Sequence, residues 1–508
     1  MTTHDLRLIA RDTPAPTDPV FEARHLIDGV WHMSTGTFTR ESPAHGTLVT
    51  RAALGTKADA EAAIKAARAA FDDGRWSELS GKERAAVLSK TADLIERDID
   101  RIARLETLES GKPISQAKGE IESAADLWRY AAALARTSVG ETQNALGRDM
   151  LGMTLKEPIG VVSLITPWNF PFLIISQKLP YALAAGCTCV VKPSELTSAT
   201  TVVLGELLVE AGLPAGVLNI VLGYGMPVGE ILTSDPRVDM VSFTGSTGVG
   251  SAIVAATAPT LKKVALELGG KNPQVVFPDA DLDAAADAII FGIYFNAGEC
   301  CNSGSRIIVH KDVVAPLTEK LTALSRKVAF GDPLHPDTQV GAIISDAHLQ
   351  KIDGYVKGAV EDGAALALGG DTLPVAGLPG KFYAPTLVSG VTPDMAIASE
   401  EVFGPVLAIL SFDTFDEALG LVNGTEYGLS AGVWSQDMET CLKFARHAQA
   451  GTVWTNTWMD GFAELPFGGV KQSGLGRELG RQAIEDYQEV KTVTMRVGTA
   501  SRAPWVAG

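Results

Sequence analysis

The sequence predicts an α/β protein built from two doubly wound domains, and three observations support this. Short apolar strands alternate with helices from Gly160 onward. These strands are near-continuous β-branched runs, which are typical of parallel strands covered on both faces. The chain has 508 residues, of which 46% are hydrophobic. At roughly 100–200 residues per domain, this length allows two to four domains with a large core.

The first section of the chain is predicted to be mainly helical. Residues 1–57 are rich in Thr, Pro and Gly and contain only short extended pieces. Helix signals begin at Lys57, and Ser80 followed by Glu83 forms a capping box at the start of a second helix. We therefore expect an α-rich section that ends near Ala135.

Two series of alternating strands and helices follow, one on each side of Gly269-Gly270. The first series predicts strands at 161–166, 188–192, 217–221 and 240–244, with helices at 172–185, 198–211 and 227–233. The second predicts strands at 274–277 and 305–309, with helices at 282–296, 312–327 and 345–361. Two α/β domains are thus expected to face each other across residues 269–270.

The tail at residues 486–497 alternates apolar and polar side chains, which predicts a single strand. A lone terminal strand is unstable because its backbone groups have no partner. We expect it to pair with another part of the chain or with another subunit.

The composition excludes several classes of partner. The formal net charge is −17, so the average surface would repel nucleic-acid phosphates and anionic bilayers. No apolar run approaches the ~18 residues of a membrane span, and the first 20 residues contain no continuous apolar segment. The five cysteines lack CxxC spacing and the eight histidines are scattered. We expect a cytoplasmic protein without a metal site.

The segment Phe295–Arg306, FNAGECCNSGSR, places Cys300 and Cys301 in a glycine-flanked loop between a helix and a strand. Two interpretations are open at this point, namely two small buried hydrophobic residues or a nucleophile. A nucleophilic cysteine needs a base, and no histidine lies within eight residues. Glu267 is a candidate base, because it ends an apolar strand where an unpaired carboxylate would be unfavourable.

Three further loops follow predicted strands, at the edge of a parallel sheet where ligands bind. The first contains Asn169, whose amide can donate to an oxyanion. In the second, Lys192 and Glu195 suit ribose hydroxyls. The third, FTGSTGVG at 243–250, is a glycine-rich turn that leads into a helix and can bind phosphate, although its spacing differs from GxGxxG. Each loop taken alone is equally well explained as a turn.

Together with the segments EEVFGP and PFGGVKQSG, and in this order, these motifs resemble the aldehyde dehydrogenase superfamily from about Phe21 to Val497. LELGGKNP is similar to the glutamate signature of that family, and FNAGECCNSGSR to its cysteine signature. The resemblance implies that Cys301 is the nucleophile and that Cys300 is a neighbour. It also implies NAD-dependent oxidation of a small-molecule aldehyde to a carboxylic acid.

The resemblance implies a role for each matching catalytic residue. Cys301 attacks the aldehyde carbon, while Asn169 and the backbone N–H of Cys301 stabilise the oxyanion of the thiohemiacetal. Glu267 activates the water that hydrolyses the thioester, and Glu478, in the matching segment GRELG, helps to relay the proton.

The cofactor contacts implied by the resemblance lie in four loops. They are Thr166, Pro167, Trp168, Lys192, Ser194, Glu195, Gly245, Ser246, Val249, Glu401 and Phe403. Because the acid Glu195 would repel a 2′-phosphate, NAD is expected in preference to NADP.

The resemblance also implies three structural parts and a homo-oligomer. The expected parts are a Rossmann-like NAD-binding domain (1–137 and 157–268), a catalytic domain (269–477) and a β oligomerisation arm (138–156 and 478–508). The predicted tail strand belongs to the arm, so a homodimer or a homotetramer is expected.

The substrate pocket is expected to be rich in aromatic side chains. Its candidate residues are Trp128, Phe170, Phe172, Gln177, Trp458, Phe462 and Phe467. The segment NTWMDGFAELP resembles the betaine- and aminoaldehyde-oxidising members, where a tryptophan at the position of Trp458 faces a cationic group. Asp460 and Glu464 add negative charge, which suits betaine aldehyde or an aminoaldehyde.

Two alternatives stay open. The aromatic side chains equally suit aliphatic or aromatic aldehydes if they serve only as apolar packing. A cofactor-independent thioesterase or esterase would use Cys301, Glu267 and Asn169 and would turn over without NAD.

Overall fold

The computed structural model describes residues 6–497. The outer ends of the predicted NAD-binding domain and arm, residues 1–5 and 498–508, lie outside the described part. The elements up to residue 137 are β1 (Leu8–Ile9), β2 (Phe21–Ala23), β3 (His25–Ile27), β4 (Val30–His32), β5 (Thr37–Glu41), β6 (Leu48–Ala53), α1 (Lys57–Asp72), α2 (Gly81–Arg97), α3 (Ile99–Ser110) and α4 (Ile114–Thr137).

The predicted helical section is confirmed by these four helices. The predicted capping box is also present, because Ser80 accepts from the backbone N–H of Glu83 and the Glu83 carboxylate accepts from that of Ser80. The helix α1 begins with an equivalent pair formed by Thr56 and Asp59. Both boxes satisfy backbone donors that would otherwise lack partners at a helix start.

The next section contains β7 (Thr142–Gln143), β8 (Met150–Pro158), β9 (Val161–Ile165), α5 (Pro171–Ala185), β10 (Thr188–Lys192), α6 (Ala199–Ala211), β11 (Leu218–Ile220), α7 (Glu230–Ser234), β12 (Met240–Thr244), α8 (Thr247–Thr257) and β13 (Lys263–Glu267). The strands predicted at 188–192 and 240–244 have these bounds. The helix predicted at 227–233 begins later, at Glu230, because a π-helical turn at Gly225–Gly229 precedes it.

The remaining elements are β14 (Pro273–Val276), α9 (Leu282–Tyr294), β15 (Arg306–His310), α10 (Val314–Ser325), β16 (Phe330–Gly331), α11 (Asp346–Glu361), β17 (Ala365–Leu368), β18 (Thr386–Ser389), α12 (Ala396–Ser399), β19 (Val406–Phe412), α13 (Phe415–Asn423), β20 (Ser430–Trp434), α14 (Met438–His447), β21 (Thr452–Thr455), β22 (Gly474–Leu475), α15 (Gly480–Asp486) and β23 (Gln488–Arg496). The predicted helix at 312–327 is shortened to α10 because a single 3-10 turn precedes it.

The first large sheet has eight strands in the order β22-β13-β12-β9-β10-β11-β3-β4. Its five central strands, from β13 to β11, are parallel. The chain moves outward from β9 through β10 to β11, then returns to the other side of β9 with β12 and β13. The strand order therefore reverses between β9 and β12, and such a reversal opens a crevice at the carboxyl ends of the strands.

The second large sheet has seven strands in the order β17-β18-β19-β15-β14-β20-β21. All of its neighbours are parallel except β17 and β18. Both large sheets are thus mainly parallel with helices in their connections, which confirms the predicted α/β class with two doubly wound, Rossmann-like units.

The predicted tail strand is β23, and it pairs along its full length with β8 of the same chain. The register runs antiparallel from Gln488 opposite Pro158 to Arg496 opposite Met150. A third strand, β7, completes this small sheet. Two nearby elements, β22 and α15, lie with the first large sheet instead, because β22 pairs with β13 and α15 packs on α5. The predicted domain boundaries stay a prediction.

Each large sheet has its own apolar core. The loop of Cys300 and Cys301 in the second unit contacts Asn169 and Phe170 of the first. Among residues 6–497, no helix is both long enough and apolar enough to cross a membrane.

Candidate active site

The carboxyl ends of four parallel strands bring the predicted site residues of the first unit to one edge. Thr166–Asn169 follow β9, Lys192 ends β10, Gly245 follows β12 and Glu267 ends β13. Adjacent hydrogen bonds link these loops, since the N–H of Thr166 donates to the Lys192 carbonyl (3.1 Å) and that of Gly245 to the Glu267 carbonyl (3.0 Å). The topology therefore assembles segments that are 100 residues apart in the chain.

The two cysteines have different environments. Cys300 is 4% exposed and lies in a small apolar cluster with Phe170 and Ile174. Its thiol donates to the side-chain oxygen of Asn302 (2.8 Å). Of the two residues, Cys301 is the one that is partly exposed.

The surroundings of the Cys301 thiol favour its protonated form. Its hydrogen bond with the Cys300 side chain, followed by burial, raises its pKa well above the ordinary value. The carboxylate of Glu401 adds to this increase. A nucleophilic Cys301 therefore needs a base that can take its proton.

Glu267 is a buried carboxyl group without a fixed partner on one side. Its side chain is largely shielded, and Oε2 accepts no hydrogen bond from the described residues. Burial, and then the negative charge of Glu478, raise the pKa of Glu267, while Lys178 opposes this increase. A Cβ at Gly468 would lie 2.6 Å from Glu267 Oε1, so glycine is required there for the close approach.

Glu478 forms a buried ion pair with Lys178 of α5. The Lys178 ammonium also donates to the hydroxyl of Ser242 (3.0 Å). The backbone of Glu478 pairs in both directions with that of Phe467, at 2.7 and 2.8 Å. Lys178 was missed by the sequence interpretation, although it is the one charged residue in the apolar run of α5.

The amide of Asn169 is tied to the cysteine loop. Its Nδ2 donates to the backbone carbonyl of Glu299 (3.1 Å). Asn296 Nδ2 donates to the same carbonyl (3.1 Å) and to that of Asn169 (3.0 Å). Asn296 adopts φ +50°, a left-handed conformation that asparagine tolerates better than most residues. Asn296 and Glu299 were also missed from the sequence.

The turn at Gly269-Gly270 allows two close contacts. A Cβ at 269 would lie 2.6 Å from Glu401 Oε2, and one at 270 would lie 2.7 Å from the Cys301 carbonyl oxygen. The backbone N–H of Gly270 donates to Glu401 Oε1 (2.9 Å). Burial raises the pKa of Glu401. These contacts connect the strand of Glu267, the cysteine loop and Glu401.

Three rings form a partly exposed group beside this turn. The Trp168 ring meets those of Phe403 and His348 edge-on, both at 5.5 Å between centroids. His348 Nε2 lies 2.6 Å from the carbonyl oxygen of Phe403. Burial lowers the pKa of His348 to about 4, so the ring is neutral at pH 7 and donates from Nε2. His348 is another residue that the sequence interpretation missed.

At the opposite end of the crevice, several polar groups have no hydrogen-bond partner among the described residues. Ser246 is exposed and precedes α8 without capping it, so the first turn of α8 presents unpaired backbone N–H groups beside the half-exposed Val249. The Thr166 hydroxyl is buried and has no hydrogen-bond partner among the described residues. Burial lowers the pKa of Lys192, which within residues 6–497 donates only to the neighbouring Pro193 carbonyl.

The other predicted cofactor residues also lie along this crevice. Pro167 and Glu195 are half-buried, and the Ser194 hydroxyl accepts from the N–H of Leu196 (3.2 Å). One end of the crevice has a helix start suited to phosphate, together with Lys192 and Glu195. The other end has the group of three rings around Trp168 and the carboxylate of Glu401. This arrangement fits a dinucleotide.

The predicted substrate residues separate into three environments. Trp458 is 4% exposed and packs against three glycines, Gly292, Gly304 and Gly432, in the core of the second unit. Phe170 is buried beside Cys300, while Gln177 and Phe467 are half-buried. Met459, the residue after Trp458, contacts the apolar cluster around Cys300, whereas Trp458 does not belong to that cluster. Trp128 and Phe172 are fully buried, whereas Phe462, Asp460 and Glu464 are exposed.

Within residues 6–497, no group of three or more His, Cys, Asp or Glu side chains is arranged to hold a metal ion.

Comparison with known proteins gives consistent matches along the chain. The model of the Aldehyde dehydrogenase family matches residues 31–493. The betaine aldehyde dehydrogenase of Bacillus subtilis is 43% identical over 92% of this chain and 96% of its own length. The peroxisomal aminoaldehyde dehydrogenase 1 of Pisum sativum is 41% identical over 94% of this chain and 96% of its own.

Solved structures agree over the whole fold. The NAD-dependent aldehyde dehydrogenase of Sinorhizobium meliloti superposes with a TM-score of 0.95 at 50% identity, covering 98% of this chain and 99% of that one. The betaine aldehyde dehydrogenase of Staphylococcus aureus in complex with NAD⁺ has a TM-score of 0.93 at 38% identity, covering 96% of both chains.

Proposed function

Because this chain belongs to the aldehyde dehydrogenase family, we propose that it oxidises an aldehyde with an apolar body, aliphatic or aromatic, to the carboxylic acid. The protein is an NAD-dependent aldehyde dehydrogenase, an oxidoreductase. The proposal concerns its substrate class and the residues that carry the reaction.

In this proposal Cys301 is the nucleophile. Glu267 takes the proton of the Cys301 thiol and passes it on through Glu478, and the sulfur attacks the aldehyde carbon. The side-chain amide of Asn169 and the backbone N–H of Cys301 donate to the resulting oxyanion. NAD supplies the hydride acceptor when bound. Glu267, ionised again, then removes a proton from the water that hydrolyses the thioester, and Glu478 takes part in relaying it.

The environments of the two carboxyl groups support this assignment. Glu267 has a raised pKa and one oxygen without a hydrogen-bond partner among the described residues, as expected of a group that gains and loses a proton during the reaction. Glu478 is held by Lys178 as an ion pair, so it is suited to pass a proton through hydrogen-bonded neighbours instead of acting on substrate directly.

For NAD, the proposed contacts divide between the two ends of the crevice. Lys192, Ser194 and Glu195 bind the adenosine ribose, and Gly245, Ser246 and Val249 bind the pyrophosphate at the start of α8. Glu401 and Phe403 bind the nicotinamide ribose, and Thr166, Pro167 and Trp168 form the wall between. The acid at Glu195 disfavours NADP.

The apolar surroundings of the cysteines carry the substrate proposal. The cluster at Cys300 consists of apolar side chains, namely Phe170, Ile174, Leu173, Phe295 and Met459. The rings of Phe170 and Phe295 stack at 5.9 Å. Trp458, the expected cation-binding ring, is shielded in the core, and Asp460 and Glu464 are exposed to solvent. The apolar side chains around Cys300 would bind an apolar aldehyde through the hydrophobic effect.

Betaine aldehyde or an aminoaldehyde is the second candidate. It is favoured by the identity to the Bacillus subtilis betaine aldehyde dehydrogenase and to the Pisum sativum aminoaldehyde dehydrogenase. The half-buried ring of Phe467 would then take the cationic group.

The test is NADH formation by the purified protein with a panel of hexanal, benzaldehyde, betaine aldehyde and 4-aminobutanal, with matched NADP reactions. Ranking by kcat/KM decides between the candidates. Leading apolar aldehydes support the proposal, whereas leading cationic aldehydes replace it by the second candidate. Ester hydrolysis without NAD, in the absence of aldehyde oxidation, would indicate the thioesterase alternative.

We also propose a homodimer or homotetramer in the cytoplasm. The strand β23 lies at the edge of its small sheet and exposes Val490 and Met495, which suits pairing with a second copy. All five cysteines are free thiols, which suits a reducing compartment. Light scattering of the purified protein measures the oligomeric state.

A further inference from the structure

A small cavity lies next to the Gly269-Gly270 turn, because Lys271 and Asn272 are part of its lining. Polar residues from four segments line it, namely Lys271, Asn272, Arg306, Thr425, Tyr427, Ser430 and Gln449. Its free volume of about 10 Å³ is the space of one solvent-sized particle.

Lys271 has an unsatisfied ammonium at this cavity. The residue is 2% exposed, and its Nζ makes no hydrogen bond within the described part of the chain. The Ser430 hydroxyl, which also lines the cavity, is likewise buried without a partner there. Unpaired buried donors are rare in native proteins because each costs free energy. Two such groups at one cavity indicate a missing acceptor.

The second cation, Arg306, is satisfied only by neutral groups. It donates to the backbone carbonyls of Lys271 (2.8 Å), Leu421 (2.9 Å) and Val422 (2.9 Å). Among residues 6–497, no carboxylate lines the cavity. When Lys271 is protonated, the site contains two buried positive charges and no carboxylate in its described lining. Such charges are expensive unless they are compensated.

We propose that this cavity binds a monatomic anion of the chloride type, held by the Lys271 ammonium and the Ser430 hydroxyl beside the Arg306 guanidinium. An anion accepts hydrogen bonds from both unpaired donors and balances the charge. A water molecule would satisfy the donors but leave the charge in place.

The position of the site connects it to the catalytic strand. Lys271 directly follows the turn that carries the contacts to Glu401 and to the Cys301 carbonyl, four residues after Glu267. An occupied site therefore stabilises this turn against local opening, so anion binding raises the thermal stability of the protein.

Anion affinity depends on the protonation of Lys271. Burial, and then Arg306, lower the pKa of Lys271 to about 7. The other groups that act on it are Lys351, Glu400 and Glu401, and Tyr427 also lines the cavity. Because the anion binds the ammonium form, its affinity is higher at pH 6 than at pH 8.

The direct experiment is diffraction from crystals of the full chain grown in sodium bromide, with data collected at the bromine absorption edge. The proposal predicts an anomalous peak between Lys271 Nζ and Ser430 Oγ. A non-anomalous, water-like density in that position would overturn it.

A thermal experiment complements it in solution. Replacing sodium gluconate by sodium chloride at constant ionic strength is expected to raise the Tm at pH 6 by about 2 °C, and by less at pH 8. Lys271→Met should abolish the chloride-specific increase, and the control Lys327→Met, at an exposed lysine of the same unit, should retain it. An equal response of both variants, or a bromide peak that persists in Lys271→Met, contradicts the proposal.

Discussion

The side-chain amide of Asn169 donates to the backbone carbonyl of Glu299 at 3.1 Å, so the proposed oxyanion donor is attached to the loop of the proposed nucleophile. Asn296 strengthens this attachment because its amide bridges the carbonyls of both residues. An oxyanion donor stabilises a transition state only when its position relative to the nucleophile is kept constant. The hydrogen bonds of Asn296 hold Asn169 in a constant position relative to the loop of Cys301.

Asn169→Ala is therefore expected to lower kcat by about 10²–10³-fold with a smaller effect on KM. Asn296→Ala should act through position alone and lower kcat by about tenfold, again with little change in KM. Steady-state kinetics of NADH formation measure both. A mainly KM effect of Asn169→Ala would assign the amide to substrate binding instead.

The two cysteines are expected to respond oppositely to substitution. Cys301→Ala should reduce aldehyde oxidation by about 10⁴-fold or more while NAD binding, followed by calorimetry, is retained. Cys300→Ala removes a thiol from the apolar cluster with Phe170 and should keep most of the activity. Retained turnover in Cys301→Ala would reject it as the nucleophile.

The pH dependence of turnover should report the pKa of Glu267. The group must be ionised to act as a base, so kcat falls as the pH decreases through its raised pKa, which lies above the usual range of a glutamate. Glu478→Gln removes a like charge and should move this acidic limb to lower pH. Lys178→Met removes the opposing cation and should move the limb to higher pH.

Glu485→Gln is the control for these shifts, because this exposed acid on α15 pairs with Lys156 away from the site. Its profile should equal that of the parent. Lys178→Met should also lower the free energy of unfolding by about 3–5 kcal/mol, because it leaves Glu478 buried without a partner. If Glu478→Gln and Lys178→Met moved the acidic limb in the same direction, charge coupling of these residues with Glu267 would be excluded.

Substitutions at Trp458 and Met459 should separate packing from substrate selection. Trp458→Phe is expected to lower the free energy of unfolding by about 2 kcal/mol, because the indole fills the space above three glycines, and to leave the relative kcat/KM for cationic and apolar aldehydes unchanged. Met459→Asp places a carboxylate at the cluster of Cys300 and should increase the preference for cationic aldehydes by about tenfold. A selectivity change only in Trp458→Phe would restore the cation-binding interpretation.

Much of the fold was accessible from local patterns. The strands β10 and β12 and the helices α2 and α11 follow from apolar runs, capping residues and periodicity, all of which act within a few residues of the chain. The tail strand was also predicted, and the resemblance placed it in one arm with residues 138–156, but its pairing with β8 of the same chain was not predicted. Pairing of β23 with β8 joins segments that are about 340 residues apart, and strand alternation alone carries no information about such a partner.

The sequence by itself identified the family through its signatures and so predicted Cys301, Glu267 and Asn169 as candidate site residues. Only the tertiary structure decided which groups surround them. The ion pair of Lys178 with Glu478, the bridge at Asn296 and the burial of Trp458 each depend on contacts between distant segments. A side chain's chemical type is a local property, whereas its exposure, partners and pKa follow from everything that packs around it.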